Sequence, residues 1–199
     1  QNTAVGACSL FANTTGAGNT AVGYNSLKTN TTGSFNQAFG VSSLLSNTTG
    51  YCNIAMGTNA MYTNTTGFAN VAIGDDAMCK NTTGCYNTGT GHHALAQNTT
   101  GFQNTAFGNA AACKTTTGCY NTAVGSVTLL YNTTGCSNTA VGQLAMYCNN
   151  SGHANTAVGR NSLCANTASN NTAVGADTLC VNTTGACHVA VGINALRAN

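Results

Sequence analysis

The chain has 199 residues, only eight of them Lys, Arg, Asp or Glu, a formal net charge of +2, and no proline or tryptophan. So little charge excludes a basic surface for nucleic acid or an acidic tail, and it argues against any polyanion partner. No apolar run approaches the roughly 18 residues of a membrane span, and the apolar positions recur at fixed intervals, which argues against both membrane insertion and disorder.

A single repeat fills the sequence. It reads most cleanly from Asn121 to Ser137, NTAVGSVTLLYNTTGCS. Its first glycine recurs at Gly6, Gly23, Gly40, Gly57, Gly74, Gly91, Gly108, Gly125, Gly142, Gly159, Gly175 and Gly192, always 17 residues apart except for a step of 16 from Gly159 to Gly175. A period below about 20 residues is too short for helical repeats, so it predicts a solenoid with one turn of chain per copy. The expected fold is an all-β parallel β-solenoid, or β-roll, of about twelve 17-residue coils. It forms one repeat domain over 1–199, with an irregular coil at 160–175. No signal peptide precedes Gln1, which is read as a mature chain or an excerpt of a longer one.

Within each copy, NTAVG is the predicted strand. Period-two alternation is expected to turn the Val column (Val5, Val22 and their equivalents) and the Thr column inward. A Leu/Met column four residues after the glycine, from Leu10 to Leu196, is expected to face them across a thin core. Twelve strands roughly 4.8 Å apart make a rod of about 58 Å.

The same alternation is expected to leave a column of alanines facing outward: Ala4, Ala21, Ala38, Ala55, Ala72, Ala106, Ala123, Ala140, Ala157, Ala173 and Ala190, with Gly89 in the gap. Small residues along a whole face predict close packing against another chain; cover by the same chain is the rival reading. NTTG then reverses the chain, Asn bonding local backbone and Gly accepting unusual φ. Two asparagine columns, one before the strand and one opening the turn and ending at Asn199, are expected to stack as amide ladders. The turn column also matches the N-glycosylation pattern at Asn13, Asn30, Asn47, Asn64, Asn81, Asn98, Asn132, Asn149 and Asn182, with an out-of-phase match at Asn170. Ladder and glycan compete for one amide.

Departures from the repeat follow in chain order. Cys8 and Cys52 have no evident partner and are candidates for links between chains. Asp75 and Asp76 precede His92 and His93 by one repeat; a solvent-facing charge pairing is preferred there to a metal site, with Arg160 near Asp177 as a second instance. Cys79 with Cys85, and Cys113 with Cys119, flank equivalent turns and are candidate disulfides. Cys180 and Cys187 bracket another turn, Cys164 is an alternative partner for Cys180, and Cys136 with Cys148 is a weaker pairing. The turn pattern fails at 165–171, ANTASNN, where a distorted turn is expected. Eleven cysteines without C-x-x-C pairs point to an oxidising extracellular setting, at a cell or virion surface.

At Asn2–Gly6 (NTAVG), Asn53–Gly57 (NIAMG), Asn70–Gly74 (NVAIG) and His188–Gly192 (HVAVG) the sequence resembles the head repeats of YadA-like trimeric autotransporter adhesins. The NTAVG…NTTG combination is also similar to repeats of phage tail-fibre proteins. The resemblance implies a parallel β-roll, assembly of three parallel chains and a role in attachment.

No catalytic set, phosphate loop, cofactor site or metal site emerges from these residues, and a thin solenoid offers little room for a pocket, so the chain is not read as an enzyme. It is read as a subunit of an extracellular fibre or filament, self-associating through the alanine column or by end-to-end stacking. A trimeric adhesin or phage-type receptor-binding fibre is the alternative, with glycans as possible partners. Ice binding through outward threonines is the weaker alternative.

Overall fold

The computed structural model describes residues 1–198; the last member of the turn asparagine column, Asn199, lies outside them. Twelve three-residue strands occur once per repeat: β1 (Thr3–Val5), β2 (Thr20–Val22), β3 (Gln37–Phe39), β4 (Ile54–Met56), β5 (Val71–Ile73), β6 (Thr88–Thr90), β7 (Thr105–Phe107), β8 (Thr122–Val124), β9 (Thr139–Val141), β10 (Thr156–Val158), β11 (Thr172–Val174) and β12 (Val189–Val191). They form one parallel sheet in sequence order, so every strand is bonded to the copy before and after it in the chain. Pairing is in register, Ala106 on Ala123 and Ala123 on Ala140, and it stays in register across the 16-residue step, with Ala157 on Ala173. The β-solenoid is as the period predicts.

The facing of the strands is the reverse of the expectation. From β2 onward the middle residue is buried and its two neighbours are not. Ala21, Ala38, Ala55, Ala72, Ala106, Ala123, Ala140, Ala157, Ala173 and Ala190 lie inside the coil; Ala4, on the first strand, is exposed. The Val and Thr columns point outward.

The reason is the width of the coil. Opposite the sheet stands the Leu/Met column, fully buried at Leu27, Leu44, Met61, Met78, Leu95, Leu129, Met146, Leu163 and Leu179. Beside it is a third inward column of small residues, among them Ser26, Ala60, Ala94, Ala111, Ala145 and Ser162. One large side chain per coil fills the space between walls this close, so the wall facing it must be alanine. Gly89 keeps the same account: a Cβ there would meet Met78 Cγ at 3.1 Å and Ala94 O at 3.2 Å.

Closing so small a circuit takes sharp corners. Besides the strand glycine, the regular coil places three residues in the left-handed region; in the eighth these are Val127 (φ 51°), Leu129 (φ 53°) and Ser137 (φ 59°). Such residues cost roughly 1–2 kcal/mol each, tolerated because the stacked neighbours hold the conformation. The strand glycine takes one such corner: Gly108 has φ 137° and a hypothetical Cβ only 2.5 Å from Gly125 O in the next coil.

Candidate functional site

Two features set this solenoid apart: polar ladders inside it and an uncharged sheet face outside it. The first ladder is the asparagine column before the strand. Asn121 is typical: its backbone N–H and Nδ2 both donate to Asn104 Oδ1 (3.0 Å each), and Nδ2 also donates to Gly135 O at 2.8 Å. Its own Oδ1 accepts from Asn138 N and Nδ2. An amide buried in a solenoid finds its best partner in the same residue one coil away, which is why the column persists. At the last copy His188 N still donates to Asn171 Oδ1, at 2.9 Å.

The second ladder opens the turn. Asn30 donates to Asn13, Asn47 to Asn30, Asn64 to Asn47, Asn81 to Asn64 and Asn98 to Asn81, at 2.7–2.8 Å. It breaks twice. Thr115 occupies the seventh position and is too short to bridge, leaving Asn98 Oδ1 and Thr115 Oγ1 buried without partners, while Asn132 Nδ2 bonds only Gly135 O. At the shortened coil Asn166 Nδ2 goes to Ala168 O, two residues on, where other copies reach the turn glycine three residues on; Asn149 Oδ1 is then unpartnered. The missing residue is therefore absorbed in the turn, the distortion expected at 165–171.

The ladder decides the fate of the glycosylation pattern. Asn30, Asn47, Asn64, Asn81, Asn98, Asn132, Asn149 and Asn182 are buried, and each Nδ2 is already a donor. A glycan on any of them would remove those bonds and needs space that the next coil occupies. Asn13 is half-buried, and Asn170 alone among the ten is exposed. The next residue of each turn has a duty the sequence did not disclose: the hydroxyls of Thr14, Thr31, Thr48, Thr65, Thr82, Thr99 and Thr116 each donate to a carbonyl one coil on.

Outside, the sheet presents Thr and Val columns from β1 to β12 without one charged side chain. Large apolar members stand well into solvent, Phe107 at 59% and Val5 at 57% exposure. Thr occupies the first strand position in eight of the twelve strands and in the six consecutive strands β6 to β11.

The titratable groups do not converge. Asp75 Oδ1 accepts from Thr58 N and Asp76 Oδ1 from Asn59 Nδ2, both in the preceding coil. His92 instead faces Asn109 in the following coil and packs edge-on to His93 with ring centres 3.9 Å apart. The expected Asp–His pairing is therefore replaced by amide partners on either side. Arg160 and Asp177 do form an ion pair, at 2.7 Å. Among the described residues no three metal-ligating side chains come together, and surface depressions at Asn59 and Asp76 and at Tyr131 and Cys148 are open to solvent.

All eleven cysteines are free thiols. Cys79 and Cys85, Cys113 and Cys119, and Cys180 and Cys187 are not joined across their turns, because equivalent positions stack along the axis and the thiols meet neighbours in adjacent coils instead. Cys79 Sγ approaches Ala96 O at 3.4 Å, and Cys119 Sγ approaches Cys136 Sγ at 2.7 Å. Burial, and then the thiols of Cys180 and Cys148, push Cys164 up to about 11; burial and the Cys136 thiol push Cys119 equally far. No family model, curated protein or solved structure matches this chain.

Proposed function

We propose that this chain is a structural subunit of an extracellular fibre or filament that associates with further copies through the outer face of its sheet. The observation that carries the reading is the uncharged Thr/Val face spanning all twelve strands, which is left uncovered among the described residues. An uncharged face of this length with a largely apolar column along it favours association, and a second copy carries the same spacing. From Ala21 onward the alanine column is buried in the coil's own core and offers no contact to another copy. β1 and β12 each leave one edge unpaired among the described residues, so coils of another copy or of more chain can extend the sheet by the same backbone bonds. The extracellular placement rests on the cysteine content alone.

Sedimentation and electron microscopy of the chain test this. Filaments or laterally paired rods are expected, and they should disperse in Phe107→Lys/Val158→Lys with the fold intact. Short monomeric particles at every concentration would overturn the reading. A fixed mass of three chains would favour the adhesin-like alternative.

Ice binding gains one observation of its own. The threonines of β6 to β11 project outward from a parallel, in-register sheet, with a second outward residue two positions on. Thermal hysteresis in the wild type, lost in Thr122→Tyr/Thr139→Tyr, would support that reading; its absence in the wild type removes it.

A further inference from the structure

Just after each turn runs a column whose successive members include Phe102, Cys119, Cys136 and His153. Cys119 and Cys136 are equivalent residues of neighbouring coils. Their sulfurs lie 2.7 Å apart, and Cys119 N also donates to Cys136 Sγ at 3.1 Å. Stacked positions in a parallel sheet repeat about every 4.8 Å, within the roughly 4.4–6.8 Å between Cα atoms that a disulfide requires. The pair also sits at a junction where the turn ladder is interrupted. Cys119 follows the turn that begins at Thr115, and Cys136 the turn that begins at Asn132, so the two thiols span the junction whose asparagine rung is missing.

We propose that Cys119 and Cys136 form a disulfide that staples these two coils together in place of the missing rung. The step is a thiol–disulfide exchange with a small-molecule disulfide. One cysteine thiolate attacks it and expels one small thiol, and the second cysteine then displaces the other. One S–S bond forms within the protein, one is broken in the oxidant, and the two cysteine protons leave with the two released thiols. Because the pair is side by side, the second displacement asks only for a small closing movement of the two sulfurs. Cys79 and Cys113 share a column too, but Ala96 stands between them.

The test uses the whole chain and glutathione disulfide. The protein is equilibrated over a range of oxidised-to-reduced glutathione, quenched with alkylating reagent and cut with chymotrypsin and trypsin, for which Lys114 separates Cys113 from Cys119 and Tyr120, Tyr131 and Tyr147 separate Cys119, Cys136 and Cys148. A linked peptide containing Cys119 and Cys136, two hydrogens lighter than the sum of its parts, is expected. The oxidised chain should melt higher than the reduced one, and the difference should vanish in Cys119→Ala/Cys136→Ala. Alkylation of both cysteines across the whole range, or linkage of either to Cys113 or Cys148, would overturn the proposal. Because the bond lies within one chain, this outcome is independent of whether copies associate.

Discussion

Each residue of NTTG has its own partner. Asn takes a ladder rung, the first Thr bonds a carbonyl one coil on, the second faces water, and Gly allows close approach: a Cβ on Gly135 would lie 2.5 Å from Gly152 O. Thr115 is the one copy in which the rung residue is wrong. Thr115→Asn is expected to satisfy the Oδ1 of Asn98 and give Nδ2 of Asn132 a second acceptor, raising stability by about 1 kcal/mol in denaturant unfolding. Asn121→Ala acts the other way. It strips partners from Gly135 O and from the amides of Asn138, and should cost about 3 kcal/mol or more. The alanine column gives the sharpest comparison. Ala123→Leu is expected to overpack the coil and destabilise the isolated chain by about 1–3 kcal/mol. An alanine that merely contacted a second chain would leave the isolated chain unchanged.

At the scale of the coil, stability lives in the junctions between neighbours, since a strand of three residues has almost nothing to bury alone. The thiol columns make some junctions sensitive to alkali. Cys119 and Cys164 rise from an ordinary value of 9.0 to about 11, because burial and nearby thiols disfavour the thiolate. A raised acid of this kind gives stability that is fully present below pH 9.0 and lost as the pH climbs through about 11. In the reduced protein the denaturation midpoint should therefore fall between those limits more steeply than in Cys119→Ser/Cys164→Ser; parallel curves would show that the thiols do not matter. Much of the coil was legible beforehand. The strand, the Leu/Met column, both ladders and the shortened turn all follow from residues recurring at one offset. The cross-coil approach of Cys119 to Cys136 was not, because Cys119 also flanks a turn with Cys113, and the sequence alone does not rank closure of that turn against a neighbour one full coil away.

At the scale of the molecule, the consequence is a rod whose interior sets hydrogen-bonded Asn ladders beside an apolar core, with an uncharged outer sheet face. Association through that face should respond weakly to salt, since no charge sits on it, and should weaken on cooling as apolar association does. Sedimentation between low and high ionic strength checks the first and between about 5 and 25 °C the second. A steep salt dependence would place the contact on Arg160, Asp177 and the other scattered charges instead.

The sequence by itself determined the period, the parallel order, the register and the ladders, because a fixed repeat places identical side chains one above another whatever the cross-section of the coil. Which face of the strand points inward was decided only by the tertiary structure. Alternation separates two faces without naming them, and greasiness favoured valine for the inside. The distance between the walls, set by corners held in left-handed conformations and by a single Leu or Met between them, left room there only for alanine.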